Sequence, residues 1–176
     1  RGPLREKAAH WGVVGSSMVP GSEDPKGVYQ TYYEFEARAD RLRPHQILAL
    51  NRGEAEKVLR VNLDVAERDW QGVVERRYRA DARSPLATAL LEAVTDGVKR
   101  LLLPAIERDV RRALTEEAEE HAIKVFAANL RSLLSQPPVS GHNVLGIDPG
   151  FRTGCKVAVV DATGKVLETA TIYPHA

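Results

Sequence analysis

The spacing of apolar residues changes several times along this 176-residue chain, and each change predicts a change of element. Residues 3–12 predict a short helix. Residues 13–27 carry the breaker clusters Gly15-Ser16-Ser17, Pro20-Gly21-Ser22 and Pro25-Lys26-Gly27 and predict a loop. Tyr29, Tyr32 and Tyr33 stand at i, i+3 and i+4, which predicts one helical face. With Phe35 they form an aromatic cluster that anchors the segment on a core; stacking on RNA bases is the competing reading. Pro44 suits a first helical position and opens a helix through about Glu56, with Ile47, Leu48 and Leu50 on its apolar side. Val58 to Val65 then alternates apolar and polar, the period of a half-buried strand. Glu67 to Tyr78 reads as helix, with Trp70, Val73, Val74 and Tyr78 facing inward.

A long helical block follows. Ser84 is expected as its N-cap and Pro85 as its first residue. Leu86, Leu90, Val94, Val98 and Leu101 run down one face. Pro104 interrupts the block, because it has no N–H to donate and crowds the preceding turn. A second helix is predicted from about Pro104 to Ser135, roughly 45–50 Å long. Ile106, Val110, Leu114, Val125, Leu130 and Leu133 supply its apolar positions. Glu107–Arg111 and Glu120–Lys124 are i, i+4 pairs on its exposed side, worth about a few tenths of a kcal/mol each, so packing must hold the helix. Gln136-Pro137-Pro138 ends it. From Asn143 the period becomes two: strands at Asn143 to Ile147, Lys156 to Val160 and Lys165 to Ile172, with a hairpin turn at Asp161-Ala162-Thr163-Gly164. Three such strands open a domain without completing its core.

Composition narrows the classes of function. Basic and acidic residues number 25 and 24, which excludes a grossly basic nucleic-acid arm and a polyanionic tail while leaving room for a local patch. Residues 41–80 are the basic stretch, with nine basic and six acidic side chains. The single cysteine excludes a disulfide framework and suits a reducing compartment. No apolar run approaches the length of a membrane span, so no membrane association is expected. The chain opens at Arg1 without a methionine and closes just after a strand-like run, as expected of a piece of a longer protein.

The segment VLGIDPGFRTGCKVAVVD (144–161) carries the most chemistry. Asp148 ends a strand and enters a tight Pro-Gly turn, followed by Arg152, Thr153 and Lys156. A nuclease of the RNase H class places an Asp there to hold Mg²⁺ beside a phosphodiester. An actin- or sugar-kinase-like ATPase places Asp and turn backbone there for Mg²⁺ and phosphate. In a plain turn the Asp side chain bonds backbone amides. Metal-ion phosphodiester chemistry needs several converging carboxylates, and nothing in the sequence sets Asp161 or Glu168 beside Asp148. This stretch is therefore expected to be catalytically inert by itself. Cys155 is expected in packing or at the surface. His10, His45, His121, His142 and His175 lack metal-ligand spacing, and neither a Walker loop nor a dinucleotide fingerprint occurs, so no cofactor is expected. Arg76, Arg77, Arg79 and Arg83 form a basic set, read either as phosphate contacts or as a solvated helix end.

Several stretches together resemble the bacterial transcription accessory protein family, Tex. They are RPHQILALNRGEAEKVL (43–59), LLLPAIERDVRRALTEEAEEHAIKVFAANLRSLLSQPP (101–138) and VLGIDPGFRTGCKVAVVDATGKVLETATIYPHA (144–176), with YQTYYEFE (29–36) as a less specific lead-in. The resemblance implies a cytoplasmic, modular nucleic-acid-binding protein tied to transcription. It implies a helical region feeding an RNase H-like domain of the YqgF type, with RNA-binding modules further on. By that layout residues 1–138 are the Tex-type helical region and 139–176 the first three strands of the RNase H-like domain. Asp148 falls on the first metal-binding Asp of resolvase-like nucleases, and the family implies a vestigial residue there and no catalysis. Arg152, Lys156, Arg76, Arg77 and Arg79 are the candidate nucleic-acid contacts. RNA, and with it the transcription machinery, is the implied partner. The expected fold class is mainly α: a helical scaffold with long helices and one isolated strand, followed by an incomplete antiparallel β-meander. The last strand is expected to leave an open edge through which chains self-associate.

Overall fold

A computed structural model describes residues 2–78, 81, 83–137, 139–150 and 152–174. The chain is mainly α, with two small antiparallel sheets, and forms two compact units, Arg1–Phe126 and Ala127–Ala176. The first unit runs α1 (Gly2–Trp11), β1 (Val13–Met18), β2 (Glu34–Arg38), α2 (Pro44–Ala55), β3 (Leu59–Asp64), α3 (Glu67–Arg77), α4 (Ala87–Gly97) and most of α5 (Leu103–Leu134).

The expected loop at 13–27 is half strand. β1 is the centre of a sheet ordered β2-β1-β3, so β3 is not isolated. Val13 to Ser17 pairs with Arg38 to Glu34 on one side, and Val13 to Met18 with Asp64 to Leu59 on the other. Two ladders of backbone hydrogen bonds outweigh the weak strand preference of Gly15-Ser16-Ser17. Gly15 suits its place, because a Cβ there would lie 3.0 Å from the Asn62 Oδ1 across the sheet. Ser16 is buried, and its hydroxyl donates to the Tyr32 carbonyl at 2.6 Å. That bond removes the penalty of a polar group in the core.

The tyrosines do not share a helix face. Gln30–Tyr32 is one turn of 3₁₀ helix and β2 follows, placing Phe35 on a strand. Tyr29 is buried, while Tyr32, Tyr33 and Phe35 pack against the core, as anchoring requires. The Asp24 carboxylate fastens this segment: it accepts from the Tyr29 amide (2.8 Å), the Val28 amide (3.0 Å) and the Tyr33 hydroxyl (3.0 Å).

One apolar cluster joins these elements. It takes Leu4 and Ala8 from α1, Val14 from β1, Leu50 from α2, Leu59, Val61 and Leu63 from β3, Trp70 and Val74 from α3, and Ile106 and Val110 from α5. β3 alternates buried and exposed throughout, as its period predicts. Tyr78 lies beyond the end of α3 and is exposed, contrary to the inward position expected of it. The helical block starts at Ala87 rather than Pro85. The Ser84 hydroxyl accepts the Leu86 amide at 3.2 Å, so Ser84 closes a turn before the helix instead of capping it. Val98 is buried and Val94 half-buried, but Leu86, Leu90 and Leu101 are exposed.

At Pro104 the helix adapts instead of stopping. Residues Val98–Leu102 form a π-helical turn, and the Leu103 amide donates to the Val98 carbonyl, five residues back. The widened turn meets Pro104 at the second residue of α5, where no intrahelical N–H is needed. Along α5, Ile106, Val110 and Ala118 are buried and Leu114 packs against the core. Val125, Leu130 and Leu133 are exposed. The expected Glu107–Arg111 surface pair does not form. Arg111 forks onto the Glu54 carboxylate of α2 and reaches the Val61 carbonyl of β3 at 3.4 Å. Glu107 instead accepts the Leu63 amide at 3.2 Å. Glu120–Lys124 pairs as expected, at 2.7 Å.

In the second unit β4 (Val144–Asp148), β5 (Cys155–Val160) and β6 (Val166–Ile172) form the predicted antiparallel meander with β5 central. The Asp161 carboxylate organises the β5–β6 turn by accepting the Thr163 hydroxyl (2.6 Å) and the Thr163 and Lys165 amides. Those bonds, the Thr163 hydroxyl first, hold its carboxyl below the usual range. β6 is exposed along its whole length.

Candidate nucleic-acid interface

The register of the second sheet decides which side chains share a face. Asp148 pairs with Lys156, and Lys156 with Thr171, so these three form one row. The next row on that face is Gly146, Ala158 and Thr169. Small side chains there leave a shallow, open concavity with Asp148 and Lys156 at one end. Glu168 aligns with Val159 and Leu145 and therefore lies on the opposite face from Asp148. Asp161 sits beyond the far end of β5.

Asp148 is exposed, and its carboxylate accepts no hydrogen bond from a described residue. The turn after it is held differently. Gly154 has φ +77°, a left-handed conformation that favours glycine, and a Cβ there would lie 2.7–3.0 Å from atoms of Tyr173, Thr171 and Ile172. Phe151 lies outside the described residues. Arg152 is exposed in this turn and precedes β5 by three residues. Among the described residues no group of three or more His, Cys, Asp or Glu side chains converges, so one carboxylate faces this concavity where metal-assisted phosphodiester chemistry needs several. The residues present do not fit a two-metal centre.

The basic set of the first unit lies at the C-terminal end of α3. Arg76 and Arg77 are exposed, and Arg76 Nε donates back to the Gly72 carbonyl at 2.8 Å. This adds a bond to a carbonyl inside α3 and leaves the rest of the guanidinium in water. Arg83 is exposed beyond them, and Arg79 lies outside the described residues.

One arrangement escaped the sequence reading. At the end of α1, Trp11 is 55 % exposed, with the Arg38 guanidinium 4.3 Å from its ring centroid. Arg38 is held by Asp40 (2.6 Å), which also meets His10 Nδ1 at 3.0 Å. The available signal was Trp11 itself, together with Arg38 and, at the start of the basic stretch, Arg41 and Arg43. The β1–β2 pairing that joins them is not visible in any local pattern.

Comparison with known proteins places these features in context. Residues 1–126 match the family model described as Tex central region-like, and residues 142–176 the Tex protein YqgF-like domain. Bacillus subtilis YdcI is 43 % identical over 174 residues, covering 98 % of this chain and 24 % of its own length. The Bordetella pertussis protein tex is 40 % identical over 185 residues, 97 % of this chain and 23 % of its own. Human S1 RNA-binding domain-containing protein 1 is 37 % identical over 150 residues, 82 % of this chain and 15 % of its own. The chain thus spans at most about a quarter of the length of these relatives.

Proposed function

Since this chain belongs to the Tex family of transcription accessory proteins, we propose that it is the scaffold segment of a cytoplasmic, RNA-binding transcription factor. Its role is to position an RNase H-like domain and further RNA-binding modules, in contact with the transcription machinery. Residues 1–138 act as the helical region and 139–176 as the first three strands of the RNase H-like domain. The observation that carries this reading is α5, 32 residues long and packed on the first unit's core through Ile106 and Val110. A relative named for an S1 RNA-binding domain supports the RNA-binding part.

Lys156 at the concavity, Arg152 in the turn before β5, Arg76 and Arg77 at the end of α3, and Arg79 further along the chain are ancillary phosphate contacts. Such contacts add affinity without sequence preference. The segment performs no catalysis, and Asp148 is vestigial: among the described residues it stands on its face without a second carboxylate. Filter binding of single-stranded RNA tests the scaffold role. A full-length Tex protein should bind at least about tenfold more tightly than this chain, and equal affinity would overturn the reading.

The alternative is a metal-dependent RNase H or resolvase-like nuclease acting through Asp148 in the full-length protein. Its support is the position of Asp148, exposed at a strand end beside Lys156. It requires full-length protein to cleave branched DNA or RNA with Mg²⁺, and Asp148→Asn to abolish that cleavage.

A further inference from the structure

The end of α1 carries a ring that the core does not use. Trp11 is absent from the apolar cluster that takes Leu4 and Ala8 of the same helix, and more than half of it faces water. It is nevertheless fixed. Arg38, the last residue of β2, lies over the ring at 4.3 Å. That guanidinium is in turn held by the Asp40 carboxylate at 2.6 Å and by the His10 carbonyl at 3.3 Å. The His10 ring meets Trp11 edge-on with centroids 4.5 Å apart, and its Nδ1 is anchored on the same Asp40 oxygen. The Ala39 amide donates to the Gly12 carbonyl at 2.8 Å, which locks the two backbone segments together. An aromatic face that is held rigid but left in water is preorganised for a flat partner, because little side-chain entropy remains to be lost on contact.

Charge selects the partner. Asp40 is the one carboxylate between residues 37 and 53, and it already serves Arg38 and His10. Arg41, next to it in the 3₁₀ turn, and Arg43, at the N-cap of α2, are exposed. A rigid indole backed by the Arg38 guanidinium, with two further exposed arginines three and five residues after Arg38 in the chain, matches a polyanion that carries π-faces. We infer that Trp11 is a base-stacking platform for single-stranded nucleic acid, with Arg41 and Arg43 contacting the adjoining phosphates. This rests on the nucleic-acid-binding reading and assigns it a surface on this chain, ancillary to the tighter binding proposed for the full-length protein.

The test is titration of the 176-residue chain with a twelve-nucleotide oligouridylate at low salt, read by tryptophan fluorescence and by anisotropy of the labelled oligonucleotide. Trp70 is buried, so quenching reports on Trp11. The expected result is saturable quenching that Trp11→Phe removes while anisotropy shows binding largely retained. Trp11→Ala should weaken binding roughly tenfold, and Arg41→Gln severalfold. Circular dichroism checks that the alanine variant folds; if it does not, the presence or absence of Trp11 quenching when the wild-type chain binds decides. Binding without quenching, and unchanged in the folded Trp11→Ala, overturns the platform and leaves the nucleic-acid reading intact. No binding by this chain also overturns the platform, and the same titration on a full-length Tex protein then shows whether that reading falls with it.

Discussion

Removing the Arg111 guanidinium should loosen α5 from α2 and β3. The i, i+4 spacing pairs it with Glu107 on a solvated helix face, where the coupling would be about 0.2–0.5 kcal/mol. The structure instead forks it onto Glu54, with Nη1 to Oε1 at 3.1 Å, and onto the Val61 carbonyl. It thereby ties α5 to both α2 and β3. A charge-assisted pair of this geometry is worth about 1.5–3 kcal/mol when well buried. Glu54 keeps 39 % of its side-chain exposure and Arg111 24 %, so solvent screening lowers the expectation to about 1–2 kcal/mol. A double-mutant cycle of Glu54→Gln and Arg111→Met, read by urea unfolding through Trp70 fluorescence, measures that coupling. The parallel cycle of Glu107→Gln with Arg111→Met should give no more than about 0.3 kcal/mol. The reasoning fails if the Glu107 cycle shows the larger coupling, or if neither exceeds about 0.3 kcal/mol.

Three further outcomes are expected. Ile106 is fully buried where α5 meets the sheet, and Ile106→Ala should cost about 2–5 kcal/mol in the same urea experiment. The Tyr29 amide above all, with the Val28 amide and the Tyr33 hydroxyl, holds the Asp24 carboxyl below its ordinary range. The stability from Asp24 is therefore full above the unfolded-state value and is lost as pH falls through the lower folded value, so Asp24→Asn should flatten the acid limb of a stability–pH profile. The open β6 edge should make the chain self-associate with rising concentration. Sedimentation velocity should show this, should show less of it in Thr169→Lys, and a clean monomer at high concentration would contradict it.

Where local pattern and tertiary context agree, the sequence was readable. The alternation of Leu59 to Asp64, Pro44 at the first turn of α2, and the Asp161 turn each depend on neighbours a few residues away, and each appears as expected. β1 was missed because its stability comes from pairing with segments about 20 and 45 residues distant, which no local signal encodes. Pro104 misled for a related reason. The expectation of a break omitted the π-helical turn that absorbs the missing hydrogen bond. At the candidate site, the sequence identified Asp148, Arg152 and Lys156 as the residues to watch. It did not reveal that Glu168 points to the other face, because that follows from register across three strands. The Trp11–Arg38 stack was invisible for the same reason as β1, since β1 and β2 bring its two halves together.

The central claim is that this chain supports RNA binding rather than supplying most of it, and salt dependence tests it most directly. For single strands the slope of log affinity against log salt is about −0.7 for each phosphate neutralised. A full-length Tex protein should show the steeper slope and the tighter binding, with this chain showing weak binding and a shallow slope from the few arginines proposed as phosphate contacts and Lys156. The same affinity and the same slope for both would mean that the binding surface lies within these 176 residues, and would contradict the account.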